Sequence, residues 1–203
     1  MDWAGIIGAI TGTLATILCA WFTYNQYGKN KEIDYKIAKR EQEDKEKRES
    51  DKVASQNIYR ELWALLHKLN GALRVYIVQP HPLDRAKYIS IQYEVLSEGM
   101  ISVMPIVHRM PVGHLPGFVV ELESNDFVHW HSQSEVKDGR ARSIMHTIGS
   151  DKMVAVRMMT NRVWKGNIVV DFDGNDIDEN KVREALNEAR TIIQYMLPEI
   201  EEE

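Results

Sequence analysis

The chain has 203 residues and a net charge of −5, with 25 basic and 30 acidic side chains. That length suits one domain and an appendage, and the interspersed charges offer no basic surface for nucleic acid. A single cysteine, Cys19, excludes an internal disulfide, a dithiol redox pair and a zinc ribbon.

Residues 3–28 carry no Asp, Glu, Lys or Arg. Such a stretch is long enough to cross a hydrocarbon core, which takes about 20 residues. Trp3 at one end and Trp21, Phe22 and Tyr24 at the other fit interfacial aromatic belts. A cleaved signal peptide would open on basic residues and end on a small-x-small site, and this segment does neither. The segment is therefore predicted to be an uncleaved membrane helix over residues 1–28. Gly5, Gly8, Gly12, Ala15 and Cys19 recur along one stripe, and Gly8 with Gly12 makes a small-xxx-small pair that lets two helices approach closely. The stripe predicts self-association into a homo-oligomer within the lipid bilayer. Lys29, Lys31, Lys36, Lys39 and Arg40 follow the span and no basic residue precedes it, so the positive-inside rule places the C-terminal side in the cytoplasm, at the inner membrane.

Residues 29–52 are mostly charged and lack Gly and Pro. Glu32–Lys36, Glu41–Lys45, Glu43–Lys47 and Asp44–Arg48 are acid-first pairs at helical spacing, which predicts a solvated helical stalk. Ile58, Leu62, Leu65 and Leu69 then mark a buried helical seam, facing either a partner helix in a coiled coil or the chain's own domain. Gly71 is expected to stop this helix.

The third segment, residues 53–203, changes period. "ALRVYIVQ" reads as a strand. "YISIQYEVL" alternates, with Ile89, Ile91, Tyr93 and Val95 expected on one face. Residues 97–116 are irregular; Pro116 is placed to open a short helix through "GFVVELES". "FVHWHS" is a short strand, and "DGRARSIMHTIGS" a loop with one helical turn. "KMVAVRMMT", the connection "NRVWKG" and "NIVVDFD" make a strand, hairpin and strand. Asp176 with Glu179 has capping-box spacing before an amphipathic helix that Pro198 ends. The order implies an α+β domain with an antiparallel sheet, the two terminal helices on one face, and residues 97–147 covering the other, where a ligand would have room.

That order, and above all "KMVAVRMMTNRVWKGNIVVDFDGNDIDENKVREALNEAR", resembles a GAF domain, a small-molecule-sensing relative of PAS. The resemblance spans about residues 55–197 and implies a GAF-like binding or sensing function. Asn161, Lys165, Phe172, Asp178 and Glu179 follow the order of the cyclic-nucleotide signature but not its spacing, and no cyclic-nucleotide binding is implied. The whole-chain layout, with "YISIQYEVLSEG" and "IVVDFDGNDIDENKVREALNEAR", also resembles holins of T-even-type phages. There the span oligomerises into the membrane lesion and the soluble domain is regulatory and periplasmic.

"FVHWHS" places His129 and His131 on the same side of a strand, roughly 7 Å apart. Two imidazoles alone do not make a metal site, and His108, His114 and His146 in the covering segment have no fixed relation to them. No metal and no cofactor is expected. The pair reads either as ordinary packing at a strand edge or as one wall of a pocket for a small molecule or regulatory protein, a wall that Gln92 and Arg157 share if their strands present the same face. No nucleophile elbow, phosphate loop or dinucleotide fingerprint occurs, so the domain is expected to be non-enzymatic.

Overall fold

In a computed structural model of the chain, the described residues are 3–83, 85–174 and 176–198. Within the first helix, side chains are described at residues 19, 21, 22, 24, 31 and from 35 onward. The elements are α1 (Trp3–Lys68), β1 (Ala72–His81), β2 (Tyr88–Leu96), β3 (Met110–Pro111), α2 (Pro116–Ser124), β4 (Phe127–Trp130), α3 (Gly139–Ile148), β5 (Lys152–Thr160), β6 (Val163–Phe172) and α4 (Glu179–Ile193). The chain divides into two compact units, residues 1–50 and residues 51–203.

The first unit is helical. Among the described residues no helix is long and apolar enough to cross a membrane. Most of the uncharged stretch 3–28, including Gly5, Gly8, Gly12 and Ala15, lies outside the residues whose side chains are described. Cys19, Trp21, Phe22 and Tyr24 are exposed. Residues 35–50 are exposed throughout, as expected of a solvated charged helix. Lys39 pairs with Glu43 at 3.7 Å and Gln42 donates to Glu46 at 3.0 Å, contacts that add little in water.

The second unit is built on a six-stranded sheet in the order β3-β2-β1-β6-β5-β4, antiparallel throughout. One face carries both terminal helices. Ile58, Leu62, Leu65 and Leu69 of the first helix and its following turn meet Val75, Ile77, Val154, Val156, Ile168 and Val170, so the seam packs on its own domain. The last helix adds Val182, Ala185, Leu186, Ala189 and Ile193, the spacing of one helical face. Residues 97–148 cover the opposite face with a second core that includes Val103, Val107, Phe118, Leu122, Met145 and Ile148.

Two bulges decide which side chains point where. Ile77 pairs with Tyr93 but Val78 pairs with Ile91, so Gln92 is the extra residue. The pleat resets there: Tyr93 and Val95 face the terminal helices while Ile89 and Ile91 face the covering segment. The single apolar face expected for β2 is thereby corrected. In the β5–β6 hairpin Met158 pairs with Gly166 and Met159 with Trp164, leaving Lys165 as the extra residue. The expected connection "NRVWKG" is mostly strand. Only Asn161 and Arg162 turn, both with positive φ (51° and 65°), as a two-residue hairpin requires.

Pro116 does open α2, at its first or second position. The expected loop at residues 138–150 is instead α3. Asp138 caps it by accepting from the amides of Arg140 and Ala141, and Gly149 ends it in the left-handed region. Ala141, Met145 and Ile148 supply its buried face. The last helix is capped by Asp178, which accepts from the Lys181 amide, rather than by Asp176, and Glu179 is its first residue.

Gly166 has φ +135°, and a Cβ there would lie 2.2 Å from the backbone oxygen of Val78 on the neighbouring strand. A strand backbone cannot move aside. Gly166→Ala should therefore cost about 3 kcal/mol or more, beyond the cost of ordinary overpacking. Chemical denaturation of the variant beside the parent measures it.

Candidate functional site

The covering face encloses the chamber in which the sequence reading leaves room for a ligand. Its floor is Tyr76, Val78, Ile89 and Ile91; its roof includes Val103, Leu115, Phe118, Ile144, Met145 and Ile148. The space left between them is about 30 Å³, on the order of one or two water molecules. Side chains fill the rest. Outside Ile144 lies a second, open depression of about 240 Å³ bordered by Arg140, Ser143 and Thr147.

One end of the chamber is closed by a buried polar cluster. Arg74, fully buried on β1, pairs with Asp171 on β6 at 3.2 Å. Its Nε donates to the Ile101 carbonyl at 2.7 Å and its Nη2 to the Ile148 carbonyl. Tyr76 donates to the other oxygen of Asp171 at 3.0 Å. Burial pushes the Asp171 carboxyl up to about 6, against the guanidinium and hydroxyl that stabilise its anion. Burial, reinforced by Asp171, also pushes the Tyr76 phenol well above its usual range. None of the three was singled out in the sequence, although a charge inside each of two apolar strands, "ALRVYIVQ" and "IVVDFD", is the signal that marks them.

The far end is held through α2. Asn167 and Arg157 donate to the Leu122 and Glu123 carbonyls at 3.1 and 2.6 Å, satisfying carbonyls that a helix end leaves free. Trp130 donates to Glu121 at 2.9 Å and stacks on Phe118 with ring centroids 5.4 Å apart.

The four residues assigned to one pocket wall do not meet. Gln92 is exposed on β2, and three strands separate β2 from β4. At normal strand spacing that is about 19 Å. Arg157 faces α2. His129 sits opposite Val154, whose side chain belongs to the core beneath the terminal helices, so it points to the other side of the sheet. His129 and His131 do lie together, with ring centroids 3.7 Å apart. The residue they meet is Glu179, whose Oε2 is 3.3 Å from His129 Nδ1. Burial lowers the pKa of His129, opposed by its bond to Glu179 and assisted by His131. Hydrogen bonds from His129 and then Arg183 lower that of Glu179. In the sequence Glu179 shows capping-box spacing and a place in the cyclic-nucleotide order; its partnership with His129 spans 50 positions and has no local signal.

The fold is GAF-like. The blue-light-absorbing form of the PixJ GAF domain from Thermosynechococcus elongatus superposes with a TM-score of 0.58 at 11% identity, over 72% of this chain and 87% of that one. The chromophore-binding domain of the R. palustris bacteriophytochrome RpBphP3 gives 0.53 at 12% identity, over 74% of this chain but only 60% of that one. A GAF domain/HD domain protein of Geobacter sulfurreducens gives 0.50 at 12%, over 72% and 93%. The sequence matches no protein-family model and no curated protein.

Replacing Arg74 with Met leaves a buried carboxyl without its cation and should cost about 3–5 kcal/mol. The pH dependence tests the pair separately. A folded carboxyl with its pKa raised to about 6 holds more protons than the unfolded chain between that pH and 3.8. Its contribution is therefore present at low pH and lost as pH rises through about 6. Asp171→Asn should remove that slope, so the stability difference between parent and variant changes across pH 4 to 7. Denaturant melts at several pH values check both.

Proposed function

We propose that the chain is a single-pass, membrane-anchored, non-enzymatic binding module. Residues 3–28 anchor it in the inner membrane and self-associate through Gly5, Gly8, Gly12 and Ala15. Residues 29–52 form a solvated spacer, and the GAF-like domain, residues 53–203, faces the cytoplasm and recognises a partner. The observation that carries this reading is the charged stretch at residues 35–50, which is helical and exposed at every position. A long, exposed, charged helix buries nothing itself and suits a spacer.

The chamber bears on what is recognised. A small-molecule site occupies roughly 300 Å³ or more, and the space here is about 30 Å³. That supports a regulatory protein as the partner over a small molecule in the chamber. The holin-like reading uses the same span as a membrane-permeabilising oligomer, with the domain on the periplasmic side. The basic flank after residue 28 supports the tether.

A reporter enzyme fused after Glu203 should be active in the cytoplasm, and the chain should remain with membranes after carbonate extraction. Periplasmic activity would favour the holin-like reading, and a carbonate-soluble chain would end both. Gly8→Ile combined with Gly12→Ile should reduce crosslinked oligomers in detergent, because branched side chains hold the helices apart. An unchanged oligomer yield would remove the glycine stripe as the interface.

A further inference from the structure

Among the described residues, one group combines imidazole and carboxylate ligands at coordinating distance: His129, His131 and Glu179, whose ligating atoms lie within 4.8 Å of one another. His129 is the third residue of β4 and His131 follows the strand. Glu179 is the first residue of α4. We propose that these three side chains bind a divalent transition-metal ion, Zn²⁺ by the chemistry of the set, that ties the edge strand to the last helix.

The spacing fits. Ligands bound at about 2.0–2.1 Å in a tetrahedral shell are roughly 3.3–3.4 Å apart. The Nδ1 of His129 and the Oε2 of Glu179 stand 3.3 Å apart. Two imidazoles and one carboxylate select a first-row ion over calcium or magnesium, which take oxygen ligands.

The tautomer of His129 follows from which ring nitrogen faces Glu179. The His129 side chain is 7% exposed, and its Nε2 is buried with no hydrogen-bond partner. A neutral imidazole carries one N–H and one lone pair. With Nδ1 as the ligand the ring proton lies on Nε2, so an ion between Nδ1 and Oε2 takes the Nδ1 lone pair and replaces the hydrogen bond to Glu179.

The surroundings hold the ligands in place. Arg183 binds Oε1 of Glu179 at 3.3 Å, leaving Oε2 for the site, and its guanidinium lies 4.0 Å over the Phe127 ring. Glu135 accepts the backbone amide of His131 at 2.8 Å. Such outer contacts set ligand orientation. Arg183 and the positive end of α4 oppose the ion's charge, while Glu135, Asp178 and Glu179 favour it. With three protein ligands the site retains an open position for water.

The test is calorimetric titration of Zn²⁺ into chelator-stripped full-length protein in detergent. One ion per chain should bind saturably and raise the melting temperature, as a ligand specific to the folded state must. His131→Ala and Glu179→Gln alter exposed or half-exposed positions and leave the core intact; each should weaken binding by about tenfold or more. His129→Ala should weaken it further, and His146→Ala on α3 should leave it unchanged. Absence of saturable binding, or binding equally strong in His131→Ala and Glu179→Gln, would overturn the site.

Discussion

The covering segment stays on the sheet because one guanidinium is buried beneath it. Arg74 can be fully buried only because each face of its fork has an acceptor: Asp171, the Ile101 carbonyl and the Ile148 carbonyl. An unpaired charge at that depth would cost several kcal/mol. The two carbonyls belong to the start and the end of the segment that roofs the chamber. Lifting either end would strip an acceptor from a buried cation, so the roof is clamped at both ends by the same side chain. Glu94 tightens the first end further, accepting from the amides of Val103 and Met104 and from the Ser102 hydroxyl.

With the roof clamped, its apolar side chains descend into the chamber. Phe118 packs on Trp130, and Met145 and Ile148 reach the same core as Tyr76 and Met153. A core of this kind is stabilised by filling its own volume. Opening it for a guest would expose apolar surface at about 25 cal/mol per Å² and loosen the polar clamp as well. The opposite face differs. There the terminal helices meet the sheet, and the edge strand and last helix bring His129, His131 and Glu179 together at a partly exposed rim. A partner or ion has access at that rim without disturbing either core.

Much of this architecture was legible in the sequence because it rests on local period. The seam of Ile58, Leu62, Leu65 and Leu69, the long apolar strands, Pro116 at the start of α2 and the amphipathic last helix all follow from spacing and from Pro chemistry. The uncharged stretch at residues 3–28 was equally visible, and its glycine stripe falls outside the described side chains. What was not legible depends on pairing. Gln92 is an ordinary residue in an alternating run, and only the register of β1 against β2 makes it a bulge that sends Ile89 and Tyr93 to opposite faces. The helix at residues 139–148 was masked by Gly139 and by polar residues on its outer side, although Asp138 and Gly149 were available as its caps. The pocket wall of His129, His131, Gln92 and Arg157 required that their strands present one common face. The sheet order separates Gln92 from the histidines, and the pleat turns Arg157 to the other face.

The same geometry explains why the histidines found a partner that sequence spacing could not offer. β4 is the edge of the sheet, so the side chains on its helix-facing side have a neighbouring strand on one flank only. α4 begins beside that open flank because β6, which precedes it in sequence, lies two strands from β4. The connection from β6 must pass β5 before the helix starts. Asp178 then caps the helix and fixes where its first turn lies, which sets Glu179 against His129. Arg183, one turn along, reaches back to Glu179 and to Phe127 on the same strand. A capping residue, a helix repeat and an edge strand thus converge on one pair of imidazoles. The placement of Glu179 is a consequence of sheet order rather than of any motif around the histidines.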